Sequence, residues 1–189
     1  MRKLISFVHI SLDGFVAGSN GEMDWLKMDQ ELFTHVENRI KQTDTAMYGR
    51  ATYEMMEAYW PFATQKENPT QHDIEHSKWY LQSKKLVISN SLQKDEKLNR
   101  KVIPSKDIIT SINSIKQTEG SEILVFGSPS ATHLLLENKL IDGFWLFVNP
   151  VILGKGISLY QNIHDKMNLE LLNYHQFQSG VMELNYVSK

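Results

Sequence analysis

The segment "TAMYGRATYEM", residues 45–55, passes from a short apolar strand pattern through Gly49 directly into a helical pattern. A glycine at such a joint lets the backbone come close to a ligand. The first turn of the helix that follows offers unpaired N–H groups and a partial positive charge, which suit a phosphate oxygen. Arg50 would add a full positive charge and Thr52 a hydroxyl donor. The simpler alternative is that Gly49 only makes a tight turn.

The same layout occurs a second time in "LVFGSPSATHLL", residues 124–135, where Gly127 separates an apolar strand pattern from a helical one. Open α/β folds bind their ligands at the carboxyl ends of parallel strands. Two such joints in one chain therefore indicate a site for the diphosphate of a dinucleotide at that edge of the sheet. Neither joint has the GxGxxG or the GxxxxGK(S/T) pattern, so an ordinary Rossmann domain or a nucleotide hydrolase is not predicted.

Strand and helix patterns alternate up to Gly143, and strand patterns dominate after it. The last two, residues 169–178 and 181–187, flank Ser179 and Gly180 and predict an antiparallel hairpin. Alternating strands and helices favour a mainly parallel sheet that is flanked by helices. We therefore predict an α/β fold with a mainly parallel central sheet and a C-terminal antiparallel hairpin, in a single domain that covers residues 1–189.

The composition favours a small-molecule partner. The formal net charge is -2, which gives no general attraction to nucleic acid or to anionic lipid. The chain has no cysteine, so disulfides, thiolate metal sites and a cysteine nucleophile are excluded. We identify neither an HxxxH nor an HExxH pairing among its seven histidines, and we expect no metal site. The longest apolar runs, such as residues 144–148, are far shorter than the ~20 residues of a membrane-spanning helix, and we expect a cytoplasmic protein with no membrane partner.

A third polar patch follows the strand pattern in "LVISNSL", residues 86–92. Ser89, Asn90 and Ser91 offer hydroxyl and amide groups that suit the ribose of an adenosine or its phosphate. The alternative is an ordinary polar strand end, because serine and asparagine are common in turns.

Five segments, taken together, resemble the dihydrofolate reductase-like superfamily in their order along the chain. They are "SLDGFVAG" (11–18), "GRATYE" (49–54), "LVISNSL" (86–92), "VFGSPS" (125–130) and "VNPVILGKG" (148–156). The chain is most similar to stand-alone relatives of the reductase domain at the C-terminus of bifunctional riboflavin-biosynthesis proteins (the RibD C-terminal branch). The resemblance implies a three-layer α/β fold, NADPH as cofactor and hydride transfer to a heterocycle or an opened sugar.

The resemblance also assigns cofactor contacts, position by position. It places His9, Val16 and Ala17 near the nicotinamide and Ser89, Asn90 and Ser91 near the adenosine ribose. The phosphate contacts that it implies are Gly49, Arg50, Ala51 and Thr52 at the first joint, and Gly127, Ser128, Ser130 and Ala131 at the second. Two positions depart from the family pattern. Ser128 replaces the second of two paired glycines, and Asn90 stands where relatives often carry arginine, so NADH is an alternative to NADPH.

Two carboxylates are candidates for the catalytic acid, because hydride transfer to C=N or C=O also requires a proton. Asp13 lies in the loop beside the expected nicotinamide position. Asp29 precedes the first helix and matches the place of the substrate carboxylate in dihydrofolate reductases. The alternatives are structural: Asp13 closes a turn with Gly14, and Asp29 caps the helix.

Three functions are compatible with these residues. The first is an NAD(P)H-dependent reductase with a small heterocyclic or ribosylaminopyrimidine-type substrate, similar to 5-amino-6-(5-phosphoribosylamino)uracil reductase. The second is a nucleotide-binding module without turnover, and the third is dihydrofolate reductase. We also expect a homodimer, because the strand-rich C-terminal region with "FWLFV" (144–148) could bury apolar area between subunits.

Overall fold

The computed structural model describes residues 1–93, 99–161, 163 and 165–189. Its strands are β1 (Leu4–Ser11), β2 (Phe15–Ala17), β3 (Thr45–Gly49), β4 (Lys84–Ile88), β5 (Arg100–Ile103), β6 (Ile123–Phe126), β7 (Gly143–Asn149), β8 (Ile157–Ser158), β9 (Leu169–Gln176) and β10 (Met182–Ser188). Its α-helices are α1 (Gln30–Ile40), α2 (Arg50–Tyr59), α3 (Gln71–Gln82), α4 (Ile108–Lys116) and α5 (Pro129–Glu137). Within these described ranges, no helix has the length and apolar character needed to cross a membrane.

The central sheet has eight strands in the order β5-β4-β3-β6-β1-β7-β10-β9. The first six strands in this order run parallel to one another, and β10 and β9 continue the sheet in antiparallel fashion. The predicted α/β architecture and the C-terminal hairpin are therefore confirmed. Strands β2 and β8 form a separate two-stranded antiparallel sheet beside the end of β1.

Helices cover both faces of the sheet, because alternate side chains of a strand point to opposite faces. Leu4 and Val8 of β1 belong to a core cluster with residues of α4 and α5, whereas Ile5 belongs to a second cluster with residues of α1 and α3. The helix residues of the first cluster include Ile108, Ile112 and Leu135, and those of the second include Leu32, Val36 and Tyr80. The fold thus has three layers, as the resemblance implies.

One local prediction needs correction, and two local features were not predicted. The polar segment at residues 60–71 contains a 3-10 helix, Trp60–Gln65, and α3 already begins at Gln71 because Thr70 and Asp73 form a reciprocal capping box. Strand β5 is short and was not predicted. The "FWLFV" segment lies in β7, between β1 and β10, and its first four residues are buried within the chain. It is therefore not available to an interface between subunits.

Candidate cofactor and substrate site

The two strand–glycine–helix joints lie side by side, because β3 and β6 are neighbours in the sheet. The Gly49 N–H donates a hydrogen bond to the Ser128 Oγ over 2.9 Å. A Cβ built on Gly49 would lie 3.5 Å from the Ala131 Cβ and 3.6 Å from the Ser130 Oγ. The N-terminal ends of α2 and α5 therefore lie next to each other at the carboxyl edge of the parallel strands, and a diphosphate shared between them stays a prediction.

Neither of these two helices is capped by its own side chains. Gly49, at the N-cap of α2, has no side chain to offer, and Ser128, at the N-cap of α5, makes no capping bond to its helix. Neither first turn contains an aspartate or glutamate. In contrast, Asp29 caps α1 and Thr70 caps α3. No N-cap side chain therefore competes with an anion at the start of α2 or α5, and a diphosphate would suit the positive end of either dipole.

Ser128 adopts a left-handed backbone conformation, with φ 50° and ψ 69°. Gly127 before it also has a positive φ of 52°. For a residue with a Cβ this conformation costs roughly 1–2 kcal/mol. The bond from the Gly49 N–H to the Ser128 Oγ and a bond from the Thr132 N–H to the Ser128 carbonyl (2.9 Å) hold it in place. The serine that departs from the family pattern thus keeps a glycine-like backbone, and its hydroxyl joins the two helix starts.

Arg50 is the cation nearest to the first joint by sequence, and it lies on the surface. Its Nη1 contacts both carboxylate oxygens of Glu54 at 3.0 Å, and both side chains are about half exposed. An exposed ion pair of this kind contributes little to stability. The guanidinium can therefore exchange this partner for a phosphate at little cost.

The third patch adjoins the first joint, because Gly49 is in register with Ile88 and Ser89 follows Ile88. The Ser89 Oγ accepts hydrogen bonds from the backbone N–H groups of Ser91 (3.2 Å) and Leu92 (3.0 Å). The Asn90 Oδ1 accepts one from the Ser105 N–H at 2.9 Å. These bonds show the polar strand end that the sequence offers as the alternative. Contact with a ribose stays a prediction, for which the patch is suitably placed.

His9 lies near the end of β1, next to the second joint. The Phe7 carbonyl, two residues earlier, accepts the Gly127 N–H at 2.9 Å, and the His9 ring stacks on Phe147 with centroids 4.8 Å apart. Burial lowers the pKa of His9 to about 4, so the imidazole is neutral at pH 7. Its Nδ1 is buried and has no hydrogen-bond partner within the part of the chain that the structure describes. A buried polar atom of this kind suits a ligand group.

Val16 and Ala17, the other residues predicted near the nicotinamide, are buried in β2. Ala17 pairs with Ile157 of β8, and a Cβ on the neighbouring Gly156 would come within 2.2 Å of the Ala17 carbonyl. The glycine therefore permits close packing of the loop after β7 against β2. This packing fixes the backbone of residues 16 and 17 beside the end of β1.

Asp13 is held by three hydrogen bonds. Its carboxylate accepts the Ser11 hydroxyl (2.6 Å) and the backbone N–H groups of Leu153 (3.2 Å) and Gly154 (2.8 Å). The hydrogen bond from the Ser11 hydroxyl contributes most to lowering the pKa of Asp13, and the backbone hydrogen bonds lower it further. Asp13 therefore ties the loop after β1 to the loop after β7. An acid with a lowered pKa is a poor proton donor at neutral pH, so this geometry disfavours the predicted catalytic role.

Asp29 acts as the helix cap that the sequence offers as an alternative. Its Oδ1 accepts the Leu32 N–H at 2.8 Å at the start of α1. The carboxylate has a structural role in this position, and its catalytic role stays a prediction.

One cluster of functional side chains was not predicted. Glu37 of α1 lies between His72 and His76 of α3, and the possible ligand atoms of the three residues are all within 4.8 Å of one another. The expectation of no metal site rested on finding neither an HxxxH nor an HExxH pairing, and the first part was wrong, because "HDIEH", residues 72–76, contains histidines four residues apart. This HxxxH spacing was the available signal, whereas the contribution of Glu37 depends on the packing of α1 against α3.

Known proteins resemble this chain over almost its whole length. Residues 2–182 match the RibD C-terminal domain family. The chain is 32% identical over 186 residues to the uncharacterized protein YyaP of Bacillus subtilis (strain 168), an alignment that covers 98% of this chain and 94% of YyaP.

Three crystal structures share the fold at low sequence identity. A protein from Shewanella sp. PV-4 named for riboflavin biosynthesis has a TM-score of 0.71 at 18% identity, with 99% of both chains covered. A pyrimidine reductase-like protein from Corynebacterium diphtheriae has a TM-score of 0.66 at 16% identity, covering 100% of this chain and 92% of that one. A Thermotoga maritima diaminohydroxyphosphoribosylaminopyrimidine deaminase/5-amino-6-(5-phosphoribosylamino)uracil reductase has a TM-score of 0.67 at 15% identity, covering 100% of this chain and 57% of that one. Because the family match covers residues 2–182, this chain belongs to the RibD C-terminal domain family.

Proposed function

We propose that this protein is a reductase that binds NADPH, or NADH, and transfers hydride to a small heterocyclic or ribosylaminopyrimidine-type substrate. The observation that carries the proposal is the contact between the Gly49 N–H and the Ser128 Oγ, which brings two uncapped helix starts together at the ligand-binding edge of the sheet. Membership of the RibD C-terminal domain family and the uracil reductase activity named for the Thermotoga maritima protein support the choice of reaction.

The residues at the sheet edge would bind different parts of the cofactor. First-turn N–H groups of α2 and α5 bind the diphosphate, with added charge from Arg50. The reduced nicotinamide, once bound, supplies the hydride. The fixed backbone of residues 16 and 17 and the stacked ring of His9 form the wall beside it, and the unpartnered Nδ1 of His9 binds a polar group of the nicotinamide or of the substrate.

The proton that completes the reduction would come from solvent. His9 is neutral at pH 7 and Asp13 is an ionised acceptor of three hydrogen bonds, so neither is a good acid. The reaction then depends on orientation of the substrate against the nicotinamide more than on a dedicated acid.

A nucleotide-binding module without turnover is the second candidate function. It is favoured because the carboxylates of both predicted acids, Asp13 and Asp29, accept hydrogen bonds from backbone N–H groups that give them structural roles. Tryptophan fluorescence of the chain during titration with NADPH and NADH measures binding, and loss of NADPH absorbance measures turnover. We expect saturable binding, and oxidation with 5-amino-6-(5-phosphoribosylamino)uracil but not with dihydrofolate. Binding without oxidation by either substrate would favour the module. Oxidation by dihydrofolate, inhibited by an antifolate, would favour dihydrofolate reductase.

We also propose that the protein is a homodimer and that β9 forms the interface. This strand lies at the edge of the central sheet, so one side of its backbone is free to pair. It exposes Leu171, Leu172 and Tyr174, which are 45%, 58% and 67% accessible. Pairing with a second copy would cover both the backbone groups and these side chains.

A further inference from the structure

The Glu37–His72–His76 cluster lies where α1 packs against α3, outside the cofactor site. The His76 Nδ1 lies 2.6 Å from the Glu37 Oε1 and forms a hydrogen bond with it. The His72 Nδ1 lies 3.3 Å from the same oxygen, without the geometry of a hydrogen bond. His72 and His76 are four residues apart on a helix, so both rings project from the same face of α3.

Two atoms of this cluster are buried without a hydrogen-bond partner among the residues that the structure describes: the Glu37 Oε2 and the His72 Nδ1. The side chain of Glu37 is only 4% exposed. A buried carboxylate oxygen without a partner is costly, because it has lost its water and gained nothing in exchange. A further cation or donor between the carboxylate and the His72 ring would satisfy both atoms.

Aromatic side chains fix the orientation of both imidazoles. The Phe33 ring stacks on the His72 ring with centroids 4.3 Å apart, and the ring centroids of Trp60 and His76 are 4.0 Å apart. Trp79 lies 5.0 Å from His76 on another side. Rings held in this way lose little freedom when they bind a ligand.

A groove of about 220 Å³ between α1 and α3 leads from solvent to the cluster. Its walls include Phe33, Glu37, His72 and Glu75. Glu75 forms an ion pair with Lys41 at the mouth of the groove. An ion could therefore enter without unfolding of either helix.

We propose that Glu37, His72 and His76 bind a divalent transition-metal ion, with Zn²⁺ as the expected occupant, and that this ion links α1 to α3. Two imidazoles and one carboxylate form a common protein ligand set for Zn²⁺, with bond lengths of about 2.0–2.2 Å. The ion would take the place of the hydrogen bond between the His76 Nδ1 and Glu37, with the imidazole proton passing through solvent to the His76 Nε2, and it would engage the two unpartnered atoms. Water from the groove completes the coordination. This metal site goes beyond the proposed reductase function and does not depend on it.

The test uses the full-length protein, stripped of metal with a chelator and then titrated with zinc chloride in a calorimeter. We expect one ion per chain and a Kd in the micromolar range or below. Co²⁺ should give visible absorption bands and quench tryptophan fluorescence, because Trp60 and Trp79 pack on the His76 ring. A hundredfold excess of Zn²⁺ over the Kd should raise the Tm by about 5–10 °C.

Three substitutions, Glu37→Gln, His72→Gln and His76→Gln, should each weaken Zn²⁺ binding at least ~10-fold and abolish the Co²⁺ bands. His175→Gln is the matched control, because His175 stacks on His35 away from the cluster, and it should leave binding unchanged. The Tm in chelator identifies any variant that fails to fold, and the partly exposed His72 then gives the deciding variant. Absence of Zn²⁺ binding to the unsubstituted chain, or binding that survives His72→Gln, would overturn the proposal.

Discussion

Gly49 donates its backbone N–H to the side chain of Ser128, and this one hydrogen bond joins the starts of two helices that are 79 residues apart in sequence. Gly49 ends β3, Ser128 opens α5, and both lie at the edge where parallel α/β sheets bind their ligands. Because neither N-cap residue, Gly49 or Ser128, caps its helix with its side chain, and neither first turn is acidic, the joint has the electrostatic character of an anion site.

Gly49→Ala should weaken NADPH binding without lowering the stability of the protein. The residue has φ -76°, which alanine adopts freely, and an added Cβ would meet no atom nearer than 3.5 Å. The Tm should therefore stay the same or rise slightly. NADPH affinity should fall about tenfold or more, because the methyl group would occupy the space in which the diphosphate approaches the backbone at Gly49. Unchanged affinity, measured by fluorescence titration, would place the diphosphate away from this joint.

Ser128→Ala should destabilise the protein by about 1–2 kcal/mol, because the buried Gly49 N–H would lose its acceptor. Ser128→Gly removes the same hydroxyl but also relieves the left-handed strain, worth roughly 1 kcal/mol. The glycine variant should therefore be the more stable of the two in denaturant-induced unfolding. If alanine proved the more stable, the backbone conformation given to Ser128 would be wrong.

Asp13→Asn tests whether this carboxylate is an acid or a tether. If Asp13 only links the two loops, the variant should have a reduced kcat with an unchanged dependence of kcat on pH. If Asp13 is the catalytic acid, the pH profile of kcat should lose one of its limbs. The pKa of Asp13 is lower in the folded chain than in the unfolded one. Its stabilising contribution is therefore present above a pH of about 4 and is lost as the pH falls further. The difference in Tm between the unsubstituted protein and the Asp13→Asn variant should therefore shrink as the pH falls below about 4.

Asp29 can be examined with a pair of substitutions. Asp29→Ala removes the cap of α1 and should cost about 1 kcal/mol, whereas Asp29→Asn retains an acceptor for the Leu32 N–H and should cost much less. A purely structural Asp29 predicts that Asp29→Asn keeps most of the reductase activity. Loss of kcat in this variant with an unchanged Tm would restore the catalytic role predicted from the sequence.

Leu172→Lys should convert the proposed dimer into a monomer in analytical ultracentrifugation, because it places a charge in the middle of the β9 interface. Lys101→Glu, on the strand β5 at the opposite edge of the sheet, is the control and should leave the dimer intact. A dimer that tolerates Leu172→Lys, or a monomeric starting protein, would contradict the assignment of β9.

Much of the fold follows from local patterns, and what was missed depends on packing. The two glycine joints were visible in the sequence, but their contact requires β3 to lie beside β6, and no local pattern determines strand order. The apolar run at residues 144–148 looked suitable for an interface, yet it forms β7 inside the sheet. The roles of Asp13 and Asp29 stayed open because a carboxylate that caps or tethers has the same sequence context as one that reacts.

The measurement that tests the central claim most directly is a crystal structure of the protein in complex with NADPH. The account predicts that the diphosphate lies between the first turns of α2 and α5, within hydrogen-bond distance of the backbone N–H groups of Ala51 and Thr52 and of the Ser130 hydroxyl. A diphosphate bound elsewhere on the chain, or crystals that take up no NADPH at millimolar concentration, would contradict it.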